Sequence, residues 1–319
     1  MHGVWAVFRK ELCDHFSSYR FVILFALIAM VSFITSYMAG IQMRENLQEL
    51  SKIKFPFLTL FSSPGAVVSM LQFVAFFGPL IGLVLGFDSI NRERAHGTMI
   101  KLISQPIYRD AVINGKFLAG VLTISIMLIS IILVISGFGL AIVGVVPKLE
   151  EILRIFIYLI ISIFYISFWL GVSILFSILF RSIATSALAS VALWIFMSFF
   201  VSLGAEVAAN TIAPVASLEK TDPDTVIKNI RIKERTSLFS PMVLYQSASA
   251  IIIDPMRNTA QSLIQRGPIE RFLASRFQNP LPLGQSLIVV FPHITALIAI
   301  TLITFAISYS VFMVQEIRT

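Results

Sequence analysis

The stretch Asp88-Ser-Ile-Asn-Arg-Glu-Arg-Ala-His-Gly-Thr-Met-Ile-Lys-Leu-Ile-Ser-Gln-Pro-Ile-Tyr-Arg-Asp-Ala-Val-Ile-Asn-Gly-Lys-Phe-Leu-Ala-Gly120 is a polar island between two long apolar runs. The run before it ends near Phe87, and the next starts at Phe117. Between them Arg92, Arg94, Lys101, Arg109 and Lys116 outnumber Asp88, Glu93 and Asp110. Short loops rich in Lys and Arg stay on the cytoplasmic side of a membrane, so the island orients the spans that flank it. Gly97 allows a sharp turn. Thr98 can then cap a short helix over residues 99–104, with Met99, Ile100, Leu102 and Ile103 as its apolar flank. Pro106 ends that piece and suits the first turn of the next helix. A short helix held across a membrane surface with apolar side chains showing needs a partner protein or the headgroup region to cover it. A solvated connector lying on lipid is the alternative.

Composition sets the class. The 319 residues are 57% hydrophobic and only 13% charged, against about 25% charged in soluble domains. Mean hydropathy is +0.89. Several apolar runs exceed the ~20 residues that cross a bilayer. The fold class is therefore an all-α polytopic membrane protein. The net charge of +7 suits a membrane surface. No basic face with interleaved aromatics points to nucleic acid. The single cysteine, Cys13, excludes an intrachain disulfide or a cysteine-based metal site and reads as an interfacial small residue. The apolar run 21–41 is too long for a cleavable signal peptide and lacks an Ala-x-Ala ending.

Working outward, residues 3–19 place Trp5, Phe8, Leu12, Phe16 and Tyr19 at spacings of three and four, with Arg9, Lys10, Glu11 and Asp14 between them. That pattern predicts a helix lying in the membrane interface. Six spans are expected, at 21–41, 66–90, 117–146, 155–180, 183–203 and 285–314, with residues 91–116 as the loop after the second. In the second span Gly78, Gly82 and Gly86 lie four residues apart, a spacing that admits close approach of another helix. Pro79 predicts a kink beside them. The seam so formed fits a dimer contact, a moving gate or ordinary packing within the chain. Arg181-Ser182 makes spans four and five a tight hairpin. Residues 204–284 are the large polar region between spans five and six. Within it 225–235 can form a short charged helix, and the apolar pieces 238–245 and 248–253 are too short to cross, so they re-enter or lie flat.

Six spans put both termini on one side. That side holds Arg9, Lys10, Arg20, Arg92, Arg94, Lys101, Arg109, Lys116, Arg181 and Arg318, whereas the short loops opposite hold Arg44, Lys52, Lys54, Lys148 and Arg154. The bias places both termini in the cytoplasm and 204–284 outside, long loops being largely exempt from the rule.

Two absences narrow the chemistry. No Asp, Glu, Lys or Arg lies deep in an expected span, and His293, near one end of the sixth, reads as an interfacial polar residue. Ion-coupled carriers keep ionisable groups inside the membrane. Nor is there a Gly-x-x-x-x-Gly-Lys-Ser/Thr phosphate loop, since Gly115-Lys116 is followed by Phe117, and no His-Glu-x-x-His or Cys-His cluster occurs. No catalytic, metal or cofactor residues are expected in this chain.

The sequence Glu93-Arg94-x-x-Gly97-Thr98, then Leu102-Ile103-Ser104-x-Pro106-Ile107-x-Arg109, then Gly115-Lys116, resembles the loop between spans two and three of ABC type-2 permeases. It is similar in particular to the six-span branch that includes sodium-extrusion permeases and the permease of nitrous oxide reductase maturation. The layout of the whole chain resembles theirs too, with an elbow helix before span one and a Ser-Pro element and short helices in the large extracytoplasmic loop. The resemblance implies a membrane-spanning permease subunit, not itself an enzyme, of an exporter in the plasma membrane. It implies a second permease chain as partner, and a separate ATP-binding subunit that carries the ATP and magnesium. It implies that residues 92–109 form the ATPase-docking element, with Arg92, Glu93, Gly97, Thr98, Met99, Leu102, Pro106 and Arg109 as its contact residues. Glu93 would pair with a basic residue of the partner or with Arg109. A secondary carrier and a non-transporting scaffold or sensor are the alternatives. Span interiors of Ser, Thr and aromatic residues suit lipid-like, peptide or hydrophobic cargo, and admit a small ion or sulfur species if the path forms between two chains.

Overall fold

The computed structural model describes residues 2–45, 55–62, 69–97, 108–215, 223–254 and 281–315, and all regular structure among them is helical. The helices are α1 (His2–Phe16), α2 (Tyr19–Glu45), α3 (Thr59–Ser62), α4 (Met70–Gly86), α5 (Asn91–Ala95), α6 (Arg109–Phe138), α7 (Leu149–Leu179), α8 (Ile183–Ile195), α9 (Val201–Ile212), α10 (Pro223–Ser237), α11 (Pro241–Ile253) and α12 (Leu283–Val314). A π-helical turn, Gly139–Val143, extends α6, and another, Phe196–Phe200, joins α8 to α9. Six helical stretches are long and apolar enough to cross a membrane: Tyr19–Ile41, Met70–Ala95, Arg109–Ile142, Leu149–Leu179, Ile183–Ile212 and Leu283–Val314.

Local signals set the ends. The Ser69 hydroxyl accepts from the Gln72 amide while the Gln72 side chain accepts from the Ser69 amide, closing the first turn of α4. Glu151 accepts from the Lys148 amide at 2.7 Å to start α7, Ser182 caps α8, and Pro241 occupies the first turn of α11.

Helix α7 is the axis of the bundle, with α4, α6, α8, α11 and α12 packed around it. One of its faces carries Glu151, Arg154, Tyr158, Ser162, Tyr165, Trp169, Ser173 and Ser177 at spacings of three or four, each at most 1% exposed. In contrast, only 17% of the apolar window of α2, and of α12, is buried within the chain. Their outer apolar faces are those of helices that meet lipid.

Two stretches differ from the sequence expectation, and a third settles an alternative it left open. First, α6 begins at Arg109, not Phe117. Residues 109–116 are polar in sequence, but α1 lies along them and buries Val112, Ile113 and Lys116, so the helix extends into what looked like loop. Gly115 makes this possible, since a Cβ there would stand 2.9 Å from Val7 Cβ. Second, the helix expected to stop at 203 runs on to Ile212. Third, of the two outcomes expected for the short apolar pieces, re-entry or lying flat, α11 follows the first. All its residues are buried, packed against α7, α12 and α4, and it meets α10 at 112°. A thirteen-residue helix is only about 20 Å long, too short to cross, so it turns back into the bundle.

Candidate functional site

Helix α1, the end of α4, helix α5 and the start of α6 meet at the end of the bundle where α12 also ends at Gln315, the proximal end. Here five charged side chains form one cluster. Lys10 Nζ is 2.7 Å from Glu93 Oε1, 3.0 Å from Glu11 Oε1 and 3.3 Å from Asp14 Oδ2. Lys116 Nζ is 2.7 Å from Glu11 Oε1 and 3.6 Å from Glu93 Oε1. The Lys116 side chain is only 3% exposed and that of Glu11 only 9%. Buried charges of this kind persist only when paired. Beside them Arg20 binds Asp88 at 2.7 Å and stacks over the Phe87 ring. A cavity of about 280 Å³ opens between these groups, reached also by His15, Arg92 and His96.

The electrostatics follow from burial set against partners. Burial alone would lift the Glu11 carboxyl, but Lys116 and then Lys10 outweigh it and hold it below the usual carboxylate range. Burial alone would lower the Lys10 ammonium, but the hydrogen bond to Glu93 and the charge of Glu11 hold it above its ordinary value. For His15 burial is the largest effect, and the charges of Glu11, Asp88 and Asp14 do not offset it, so its pKa is lowered.

A second set of bonds ties α5 to the bundle. The Ser177 hydroxyl of α7 accepts from the Ile90 and Asn91 amides at 3.0 and 3.1 Å. Arg94 donates to the Ile178 carbonyl at 3.1 Å and to the Gln315 side chain. Arg109 donates to the Gln315 carbonyl at 3.3 Å. The segment that leads into residues 98–107 is thus anchored on α1, α6, α7 and the end of α12.

The chain matches the family model described as ABC-2 family transporter protein over residues 5–317. It belongs to the ABC-2 transporter family. Two curated relatives match part of the chain, both called probable ABC transporter permease protein NosY. The Pseudomonas aeruginosa protein is 29% identical over 153 residues, 47% of this chain and 49% of that protein. The Stutzerimonas stutzeri protein is 25% identical over 150 residues, 47% of this chain and 48% of that protein. The chain spans about half the length of the curated relatives it matches.

Of the residues expected to form the docking element of this ABC-2 family member, Thr98, Met99, Leu102 and Pro106 lie outside the described residues. Arg92 is exposed. Gly97 ends the segment with φ +65°, a backbone form that favours glycine, and no described residue comes within 4 Å of where its Cβ would stand. Glu93 does not face Arg109. It turns inward at 9% exposure to Lys10 and Lys116, while Arg109 stands as the first residue of α6 against Gln315. The physical reason is α1: it brings Lys10 to α5, and the cluster takes the carboxylate that a free loop would have presented outward. Gly78, Gly82 and Gly86 all face α7 of the same chain. A Cβ at Gly82 would lie 2.6 Å from the Ile166 carbonyl, and one at Gly86 2.8 Å from Ser173 Cβ.

At the opposite, distal end the structure assembles residues that sequence reading passed over. Arg154 is fully buried. Its guanidinium donates to the Leu281 carbonyl at 2.7 Å, the Ile252 carbonyl at 3.0 Å, the Ser286 hydroxyl at 3.2 Å and Glu150 at 3.0 Å, and lies over the Phe55 ring. Glu151, equally buried, accepts from the Phe57 amide at 2.9 Å. In sequence these looked like charges of a short exposed loop. The usable signal was their place at the head of the polar row on α7.

Proposed function

We propose that this chain is the membrane-spanning permease subunit of an ATP-binding cassette exporter. Two permease chains line the path in the cell membrane with both termini cytoplasmic, and separate subunits bind ATP and magnesium and perform the hydrolysis. The observation that carries this reading is the anchoring of Glu93. A carboxylate four residues before Gly97 is ion-paired to both α1 and α6, so a push on residues 98–107 reaches α1, α4 and α6 together. A loop that merely connected two spans would need no such base. The relatives' description as ABC transporter permeases supports the same assignment. This chain contributes the path and the lever, and no group for hydrolysis or ion coupling is assigned to it. Because the path would form between two chains, its cargo is set by surfaces contributed by both.

The test is purification from native membranes in mild detergent, with ATPase activity measured with and without vanadate. An ATP-binding subunit should co-purify in stoichiometric amount, and its activity should be vanadate-sensitive. Gly97→Val should leave the chain in the membrane but weaken retention of that subunit about five- to thirtyfold, since the left-handed conformation costs a side-chain-bearing residue about 1–2 kcal/mol. A clean homo-oligomer with no ATPase, under conditions that preserve known complexes, would sink the proposal.

A further inference from the structure

We propose that Tyr165 is a positioning residue that turns the break Pro79 makes in the hydrogen bonds of α4 into a fixed joint, so that α4 and α7 move as one lever between the two ends of the bundle. In a regular helix the amide of residue 79 would bond the carbonyl of Ala75. Pro79 lies inside α4, has no N–H to give, and its ring crowds that same carbonyl. In a membrane interior water cannot make good the loss, so another donor must. Helix α7 supplies it: the Tyr165 hydroxyl donates to the Ala75 carbonyl at 2.7 Å, fully buried.

The phenol is held in place for this. Its ring stacks on Tyr245 of α11 with centroids 4.4 Å apart. Gly78 and Gly82 let the two helices close to the distance the bond requires. Towards the proximal end the joint is repeated. Ser173 donates to the Leu83 carbonyl at 2.8 Å, and Ser177 accepts from the Ile90 and Asn91 amides. A helix free to bend at its proline would absorb a push delivered at α5. Fastened at these levels, α4 passes it to α7, whose far end carries Arg154. The mechanical consequence rests on the permease reading above, but the joint itself does not.

Restoring the missing amide makes the tyrosine dispensable, and this gives the test. Hydrogen–deuterium exchange of residues 75–83 is measured on the full chain in lipid nanodiscs for wild type, Tyr165→Phe, Pro79→Ala and the double variant. Tyr165→Phe keeps the ring and removes only the donor. It should raise exchange about tenfold, the scale expected when a buried acceptor is orphaned. Pro79→Ala should exchange no faster than wild type, and the double variant should match Pro79→Ala. If Tyr165→Phe fails to accumulate folded while the double variant accumulates normally, the joint is equally supported. No rise in Tyr165→Phe, a rise that persists in the double variant, or failure of both to fold would show that Tyr165 serves packing alone and overturn the proposal. Neither an ATPase nor a cargo enters the experiment, so its outcome is separate from that of the permease reading.

Discussion

Lys116→Met tests whether the proximal cluster holds the fold together or decorates its surface. Methionine replaces the aliphatic stem, so little packing is lost, but Glu11 loses its nearest cation. With the Lys116 side chain 3% and that of Glu11 9% exposed, this is a buried pair, and removing one member of such a pair costs about 3–5 kcal/mol. Lys10 cannot make up the difference. Its side chain is 47% exposed, and pairs at that exposure contribute about 0–1 kcal/mol. At about 2–4 °C per kcal/mol, the melting temperature should fall by on the order of 10 °C. The pH dependence gives a second, qualitative check. In the wild type the Glu11 carboxyl is held below its ordinary range. Its stabilising contribution is therefore present above the unfolded value and lost as pH falls through the lower folded one, so melting should drop in acid below about pH 4. His15, lowered by burial, adds loss in the same direction, because acid must charge it. Lys10, raised by its carboxylates, keeps its contribution until strongly alkaline pH and has no part in this limb. Without Lys116, the burial of Glu11 is no longer opposed by its largest counter-charge. The carboxyl should rise, so that as pH falls from about 7 to 5, where His15 costs both proteins stability, the variant should gain stability relative to wild type. Thermal melting by fluorescence-detected size exclusion across this range reads both effects. A variant that melts within about 2 °C of wild type, the shift of an exposed pair, or that keeps the wild-type pH slope, would refute the reasoning.

Two further outcomes follow from close contacts at other levels. Gly82→Ala should destabilise the bundle by about 1–3 kcal/mol, because its Cβ would meet the Ile166 carbonyl at 2.6 Å and the Leu170 amide at 2.8 Å. Gly204→Ala, where no described residue lies within 4 Å of the added Cβ, should be neutral or slightly stabilising, and equal melting of the two variants would count against a tight α4–α7 seam. Arg154→Met should leave the Ile252 and Leu281 carbonyls without their donor and loosen the distal end. Protease sensitivity near Leu281 should then rise while the proximal cluster, followed by accessibility of a probe at Cys13, stays unchanged; unaltered proteolysis would mean Arg154 is not the clamp.

Hydropathy is a local property, so the six spans, the class and the proximal orientation of the basic residues were legible from residues taken in short windows. So was the turn at Gly97, because a left-handed conformation is written in the residue itself. The partners of Glu93 were not legible. They stand 83 residues away at Lys10 and across a helix start at Lys116, and nothing in the local pattern distinguishes them from the exposed Arg92. The same holds for Arg154, which reads as a loop charge until α11 and the start of α12 fold over it. It holds also for α11, whose short apolar run is ambiguous until a neighbour covers it. For the three glycines the spacing announced close approach, but only the bundle decided that the approaching helix is α7 of the same chain. What the sequence by itself determined is how much of each helix leaves water, because that free energy is additive along the chain. What only the tertiary structure decided is which buried polar group meets which, because in a low-dielectric interior each must find its partner, and that choice belongs to the packing of helices far apart in sequence.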